Sequence, residues 1–559
     1  MKLFHLAVVA LISLRVSEAA GYPDRGRSMV VSSGGIVASE HPLASQAGAQ
    51  ILAQGGNAID AAIAANACMG VLSPMQCGMG GDLFAIIYDA KTGKLQGLNA
   101  SGWSAAKLNA AYLRGQGLTK MPSNGVHVVT VPGCVSGWEF LQKQYARKEL
   151  SELLAPAIEY AEKGAPVPEI IGGYWKLEEK KLAKEASTSA VYLPGSRAPA
   201  VGEVFKNPDM AWSLREVAKG GARAFYGGAV AKKLVDYLAP KGSLLTAADF
   251  SEFAAEWVKP ISTTYRGWTV YEIPPNGQGI AALMMLNIME NFPLGEWGNN
   301  SPNALHTMIE AKKLAYADML GYIGDQRFGK VPIAQMLSKE HGKKRAQLID
   351  AAKANCDVPA TAAFNPGPDT TYLCVVDSEG NMVSLIQSIY NSFGSGLCAP
   401  GTGFVLHDRG ALFNLQEGHP NELAGHKRPV HTIIPAMMEK GETRIAFGIM
   451  GGWNQSQAHA QFVANVVDFG FNIQKALELP RFTKGTFEGC DVKVEGRMPQ
   501  SVIDDLKRRG HDVKVLESFS SDMGCGQAVL RDNATKVNFG ASDPRKDGAA
   551  IPEPLRAKK

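Results

Sequence analysis

The sequence predicts an α+β protein of the layered type, in which helices cover sheets, and three observations carry that prediction. Up to Lys353 the chain is dominated by helical periodicity; past Asp369 it changes to short strands joined by tight turns. Its composition is 45% hydrophobic and 20% charged, with 60 glycines and 30 prolines in 559 residues, as expected of a large folded protein and not of a disordered or fibrous one. Strands flanked by helical stretches place helix layers over sheets. The length allows two or more domains, or one large layered unit with insertions.

The chain opens with MKLFHLAVVALISLRVSEAAGYPD, a positive start, an apolar run and small residues at Ser17 and Ala19. This predicts a signal peptide over residues 1–19 and a secreted or periplasmic product. No later stretch supplies the roughly 20 apolar residues of a membrane span. The formal charge of +4 comes without a basic block interleaved with aromatics, which argues against nucleic acid as a partner.

Residues 39–67 read as helix, tight turn at Gly55 and Gly56, helix, with Asn57 or Asp60 starting the second helix. The segment CGMGGDLFAIIYDAKTGKLQGLNA then reads as strand, turn, strand. Gly78, Gly80 and Gly81 do not form a phosphate loop, because they precede a strand and lack the following Lys-Ser/Thr pair; they read as a tight entry into a buried strand, with a ligand-lining role as the alternative. Charged amphipathic helices occupy most of residues 141–242, and the strand GWTVYEIPP leads into a long apolar helix. After Lys353, Pro, Asn, Asp and Gly accumulate in a long loop that ends at Asp369. Beyond it, TTYLCVVDSEGNMVSLIQSIYNSFGSG, GTGFVLHDRG, HTIIPAMMEKGETRIAFGIMGG, CDVKVEG, GHDVKVLES and GQAVLRDNATKVNFGASDPR all read as strands with turns, interrupted by the helix SQAHAQFVANVVDFGFNIQKALEL.

The eight cysteines are widely spaced and form neither a dense disulfide framework nor repeated CxxC metal pairs. Cys68 and Cys77 are near enough in sequence to pair; most of the others read as small buried hydrophobes. No histidine cluster has metal-ligand spacing, so neither a metal nor another cofactor is expected.

Thr370 and Thr371 stand where the long loop meets a strand. Turn-and-strand preference alone explains such a pair. A nucleophile is the alternative: a threonine hydroxyl becomes reactive when the peptide bond before it is cut, because the freed α-amine then serves as its base. That design needs no G-x-S-x-G elbow, and none is present.

The stretch PGPDTTYLCVVDSEGNMVSLIQSIYNSFGSG resembles the start of the small subunit of the gamma-glutamyltranspeptidase family of N-terminal-nucleophile hydrolases. GGNAIDAAIAANACMGVLSPMQCGMGGDLFAIIYD, VPGCVSGW, PPNGQG, AYADMLGYIGD, KRPVHTIIPAM, GIMGG, VVDFGFNIQKALELPRF and GASDPR follow the family in order along nearly the whole chain. The resemblance implies an αββα fold and self-cleavage between Asp369 and Thr370. The products would be a large subunit, 20–369, and a small one, 370–559, held together as a heterodimer. It implies Thr370 as nucleophile, Ser388 as the hydroxyl beside it, and Gly451 and Gly452 as oxyanion-hole donors. The acyl-enzyme would be resolved by water or an amine acceptor.

The departures concern the substrate. Where the family holds the glutamate α-carboxylate with an arginine, this chain has Ser101; its amine-binding aspartate falls at Leu412, its serine pair at His431 and Thr432, and its asparagine at Tyr390. Serine cannot make the paired charged bonds of arginine, and leucine cannot pair an ammonium. The expectation is an amidohydrolase or acyltransferase acting on a small amide other than a standard gamma-glutamyl compound, such as the oxamate-like or cephalosporin side-chain amides cleaved by family relatives. The alternatives are a strict gamma-glutamyltransferase or glutathione hydrolase, and a noncatalytic binding protein that kept the fold. Lys427 and Arg428 read either as a carboxylate contact or as a solvated or structural loop.

Overall fold

A computed structural model describes residues 26–358 and 369–555. The signal-peptide expectation lies outside these residues, as does most of the loop preceding Thr370. Two seven-stranded sheets are stacked between two helix layers. One sheet runs, edge to edge, Ala549–Pro552, Ile36–Ser39, Asp369–Val376, Met382–Tyr390, Asp82–Asp89, Lys94–Ala100, Glu256–Val258. The other runs Val30–Ser32, Val537–Ser542, Gly526–Asp532, Thr443–Ile449, Ala436–Lys440, Trp268–Glu272, Ile261–Tyr265.

The alternation of side chains along each strand builds the layers. In Asp369–Val376, Tyr372, Cys374 and Val376 point into the sandwich against Met437, Ala446 and Val529. Leu373 and Val375 point the other way, into the helix layer. The central strands are therefore covered on both faces and read as continuous apolar runs, with every residue of Met382–Tyr390 buried. The outer layer on this side contains Pro42–Ala53 and Ala58–Leu72; the latter is buried along its whole length. Asn57 and Asp60 start that second helix with a reciprocal capping box, after a turn in which Gly55 takes φ +90. Gly279–Met289, Pro302–Tyr322 and Gln455–Val467 cover the other sheet.

Two expectations change, and one pair of expected strands forms outside the two main sheets. The segment GTGFVLHDRG is no regular strand: Val405 makes an isolated bridge to Cys398, and Arg409–Leu412 is a 3₁₀ turn. CDVKVEG and GHDVKVLES form a parallel pair, Asp491–Glu495 with Asp512–Leu516, in a separate small sheet. Cys68 and Cys77 are buried free thiols, and the disulfide joins Cys356 to Cys490, distant residues that the sequence did not pair. Cys77 directs its thiol to the Ser73 carbonyl in its own turn.

Candidate functional site

Asp369–Val376 pairs antiparallel with Met382–Tyr390 from Val376 opposite Met382 to Thr371 opposite Gln387; then Asp369 faces Tyr390. The partner strand has one residue too many there, so Ser388 and Ile389 bulge opposite Thr370. Such bulges re-aim side chains at sheet edges and sites. Tyr390, which closes the bulge, takes a left-handed φ of +78 that a bulky residue adopts only when its surroundings impose it. Gly81 is what lets the next strand approach: a methyl there would collide with the Ser388 carbonyl oxygen. The close approach of Gly81 to the Ser388 backbone fits the reading of the glycine cluster as a tight entry into a buried strand.

Thr370 is buried, and its hydroxyl donates to Ser388 Oγ at 3.2 Å. Ser388 Oγ also accepts from Tyr390 N at 2.8 Å and from Arg409 Nη2 at 2.9 Å. An oxygen that accepts from a guanidinium is a poor base, so Ser388 orients the Thr370 hydroxyl and does not deprotonate it. Thr371 faces Gln387 in the ladder and is equally buried.

Arg409 was not among the residues singled out in the sequence. It is fully buried, its guanidinium lies 4.4 Å from the centre of the Tyr390 ring, and Nη1 donates to Thr432 Oγ1 at 2.6 Å. Its Nε has no hydrogen-bond partner among the described residues. Burial lowers its pKa to about 10, with Asp82, Tyr390 and Asp408 opposing, so it remains a cation at neutral pH. The available signal was a charged pair, Asp408 and Arg409, inside an otherwise apolar stretch.

Asp82 was likewise not singled out in the sequence. It lies opposite Ser388 on the neighbouring strand and is fully buried. Its Oδ1 accepts from the amides of Gly102 and Gly133, and its Oδ2 lies 3.0 Å from His431 Nε2. Burial opposes its ionisation, but His407, His431 and Arg409 outweigh burial and hold the carboxyl at about 2. Burial, with the charge of Arg409, pushes His431 down to about 3. His431 Nδ1 accepts from Ile433 N, which assigns the neutral ring its proton on Nε2, donated to Asp82. His431 N in turn donates to Asn276 O, and Asn276 Nδ2 donates to Ser101 Oγ at 3.1 Å. Ser101 donates to Asn99 Oδ1 and is an uncharged member of an amide network.

Gly451 and Gly452 follow the strand Thr443–Ile449, both in positive-φ backbone. Gln278 connects them to the rest: its Nε2 donates to Thr432 O and to Gly452 O. A hydrogen-bonded chain thus runs from Thr370 through Ser388, Arg409, Thr432 and Gln278 to Gly452. Leu412 ends the same turn as Arg409 and packs in an apolar cluster with Tyr390 and Trp453. Asp369 begins the strand and faces Tyr390 across the hairpin. Arg428 is committed elsewhere, pairing with Glu256 at 2.6 Å, and Lys427 donates to Pro420 O; both are structural, and neither is solvated.

Among the described residues, one group of potential metal ligands appears, His306, Glu310 and His511. It belongs to the helix Pro302–Tyr322 and its neighbours, and the Lys313 ammonium, 2.7 Å from Glu310 Oε1, already neutralises the carboxylate.

The gamma-glutamyltranspeptidase family model matches residues 44–553. The "Glutathione hydrolase-like YwrD proenzyme" of Bacillus subtilis is 36% identical over 527 residues, 93% of this chain and 99% of that protein. The "Oxamate amidohydrolase proenzyme" of Klebsiella pneumoniae is 34% identical, covering 93% and 98%. The crystal structure of cephalosporin acylase from Bacillus halodurans superposes with a TM-score of 0.88 at 39% identity, covering 96% of this chain and 98% of that one. The layered fold, the ordered motifs and these matches lead to one assignment: the chain belongs to the gamma-glutamyltranspeptidase family.

Proposed function

We propose that this protein is an exported, self-cleaving amidohydrolase in which Thr370 is the nucleophile and the substrate is a small amide bearing an acidic acyl group. The observation that carries the reading is the buried chain Thr370–Ser388–Arg409, which places a hydroxyl and a fixed cation side by side. In the precursor, Thr370 Oγ attacks the Asp369 carbonyl carbon, the peptide C–N bond breaks, and water hydrolyses the resulting ester. The products are an Asp369 carboxylate and a free Thr370 amine. That amine then takes the hydroxyl proton during attack on the substrate carbonyl and returns it to the departing nitrogen. Water, or a second amine, resolves the acyl-enzyme. The backbone amides of Gly451 and Gly452 are assigned to the oxyanion, where one donor is worth on the order of 3 kcal/mol.

Three features support an acidic acyl group that is not glutamyl. Ser101 and Leu412 offer no charge for a glutamate's α-carboxylate and ammonium, whereas Arg409 supplies a buried cation on Ser388 Oγ, the atom to which the Thr370 hydroxyl donates. The relatives named for oxamate and cephalosporin act on amides outside the gamma-glutamyl class, and in oxamate the carboxylate is attached directly to the amide carbonyl. Export is supported by the N-terminal pattern and by a disulfide, since disulfides persist in oxidising compartments.

The test is a panel of oxamate, a glutaryl amide, a neutral acyl amide and a gamma-glutamyl anilide. Turnover of the first two above the others is expected, and Thr370→Ala is expected to lower it more than about a thousandfold. Turnover confined to the gamma-glutamyl anilide would contradict the specificity.

A further inference from the structure

We propose that the disulfide between Cys356 and Cys490 is a covalent tie between the two fragments produced by cleavage before Thr370, a proposal that rests on that cleavage. Cys356 lies on the large-fragment side of the bond and Cys490 on the small-fragment side. After cleavage the peptide connection is gone and the sulfur bridge remains.

The native fold brings these two thiols together deliberately, because residues 350–356 are clamped by both fragments. From the large fragment, the helix Pro302–Tyr322 presents His306, Glu310 and Lys313 on one face. His306 Nε2 meets Asp350 O at 2.8 Å, Glu310 Oε2 accepts from Asn355 N at 3.3 Å, and Lys313 Nζ donates to Asn355 O at 3.0 Å. The small fragment closes the other side: Arg509 O accepts from Ala354 N, and Arg509 Nη1 donates to Ala351 O, both at 2.7 Å. Lys313 Nζ also lies 3.5 Å from Cys490 Sγ.

Accessibility makes the pairing selective. Cys356 is exposed and Cys490 half-buried, so an external oxidant reaches them. The other six thiols are buried, and burial raises the pKa of each, which suppresses the thiolate that exchange requires. Forming the bridge removes two protons and two electrons from the Cys356 and Cys490 thiols. A disulfide-bearing oxidant accepts them by thiol–disulfide exchange and leaves as its dithiol. The strands keep the fragments associated under native conditions; the bridge keeps the tail of the large fragment on the small one when packing loosens.

The experiment uses the full chain purified from an oxidising compartment without reductant, alkylated under denaturing conditions, and run with and without reduction. Wild type is expected as one band near the mature mass without reductant and as two bands with it. Cys490→Ser is expected to give two bands in both lanes. Intact mass is expected to show six alkylated cysteines before reduction and eight after, and peptide mapping to join the Cys356 and Cys490 peptides. Two wild-type bands without reductant, with eight alkylated thiols, would overturn the tie. A single reduced wild-type band would overturn the cleavage reading instead, while the thiol count still decides whether the bridge forms.

Discussion

Arg409 donates to Ser388 and Thr432 at once, so its replacement tests whether a fixed cation, or only a filled space, is needed beside Thr370. Arg409→Gln is expected to lower kcat/KM for acidic acyl amides by about 10²- to 10³-fold, the scale of losing a buried charged contact. It is expected to lower kcat/KM for a neutral acyl amide much less; equal losses on both would assign Arg409 a purely structural role. Arg409→Lys is expected to recover little, because one ammonium cannot reproduce the fork that reaches two hydroxyls. Thr370 and Ser388 were legible in the sequence through their place in a motif. Arg409 and Asp82 were not, since what makes them site residues is a turn and a cross-strand register that bring them to Ser388 from 21 residues ahead in the chain and from a distant strand.

The element that holds the site is the hairpin of Asp369–Val376 and Met382–Tyr390, with Asp82–Asp89 packed beside it. Gly81→Ala is expected to push that third strand away from Ser388 and to cost about 1–3 kcal/mol, the usual price of overpacking. Activity is expected to fall with it, read as a lower thermal midpoint together with a lower kcat. An unchanged midpoint would show that the strand relaxes at no cost. Helix starts and strand runs were readable because caps and periodicity are local signals. GTGFVLHDRG was misread because its apolar side chains bury against helix and turn neighbours without a strand on either side to complete a ladder.

At the scale of the molecule, both sheets contain strands from before and after Thr370 in direct register with one another, so the fold binds the two proposed fragments through shared ladders and three apolar layers. The α+β layering was legible from the change of periodicity along the chain, whereas the interleaving was not, because strand order is set by long-range pairing. Burial also gives the whole protein an acid liability. His431, His459 and His511 are each lowered to about 3, and His41 to about 4. Unfolded histidines titrate near 6.5, so as pH falls below that value the unfolded state takes up protons that the folded state refuses. Stability is therefore full above about pH 6.5 and is lost as pH falls toward 4, by up to about 1.4 kcal/mol per pH unit for each such histidine. Thermal midpoints measured from pH 7 to 4.5 are expected to drop steeply; a flat profile would contradict the neutral assignments.

The proposed chemistry depends on Thr370 becoming an N-terminus. Intact-mass analysis of the reduced, purified protein decides whether it does. Wild type is expected to yield a fragment whose mass corresponds to residues 370–559, and Thr370→Ala is expected to stay uncleaved. A wild-type chain that remains whole, or a fragment that begins at any other residue, would contradict that chemistry.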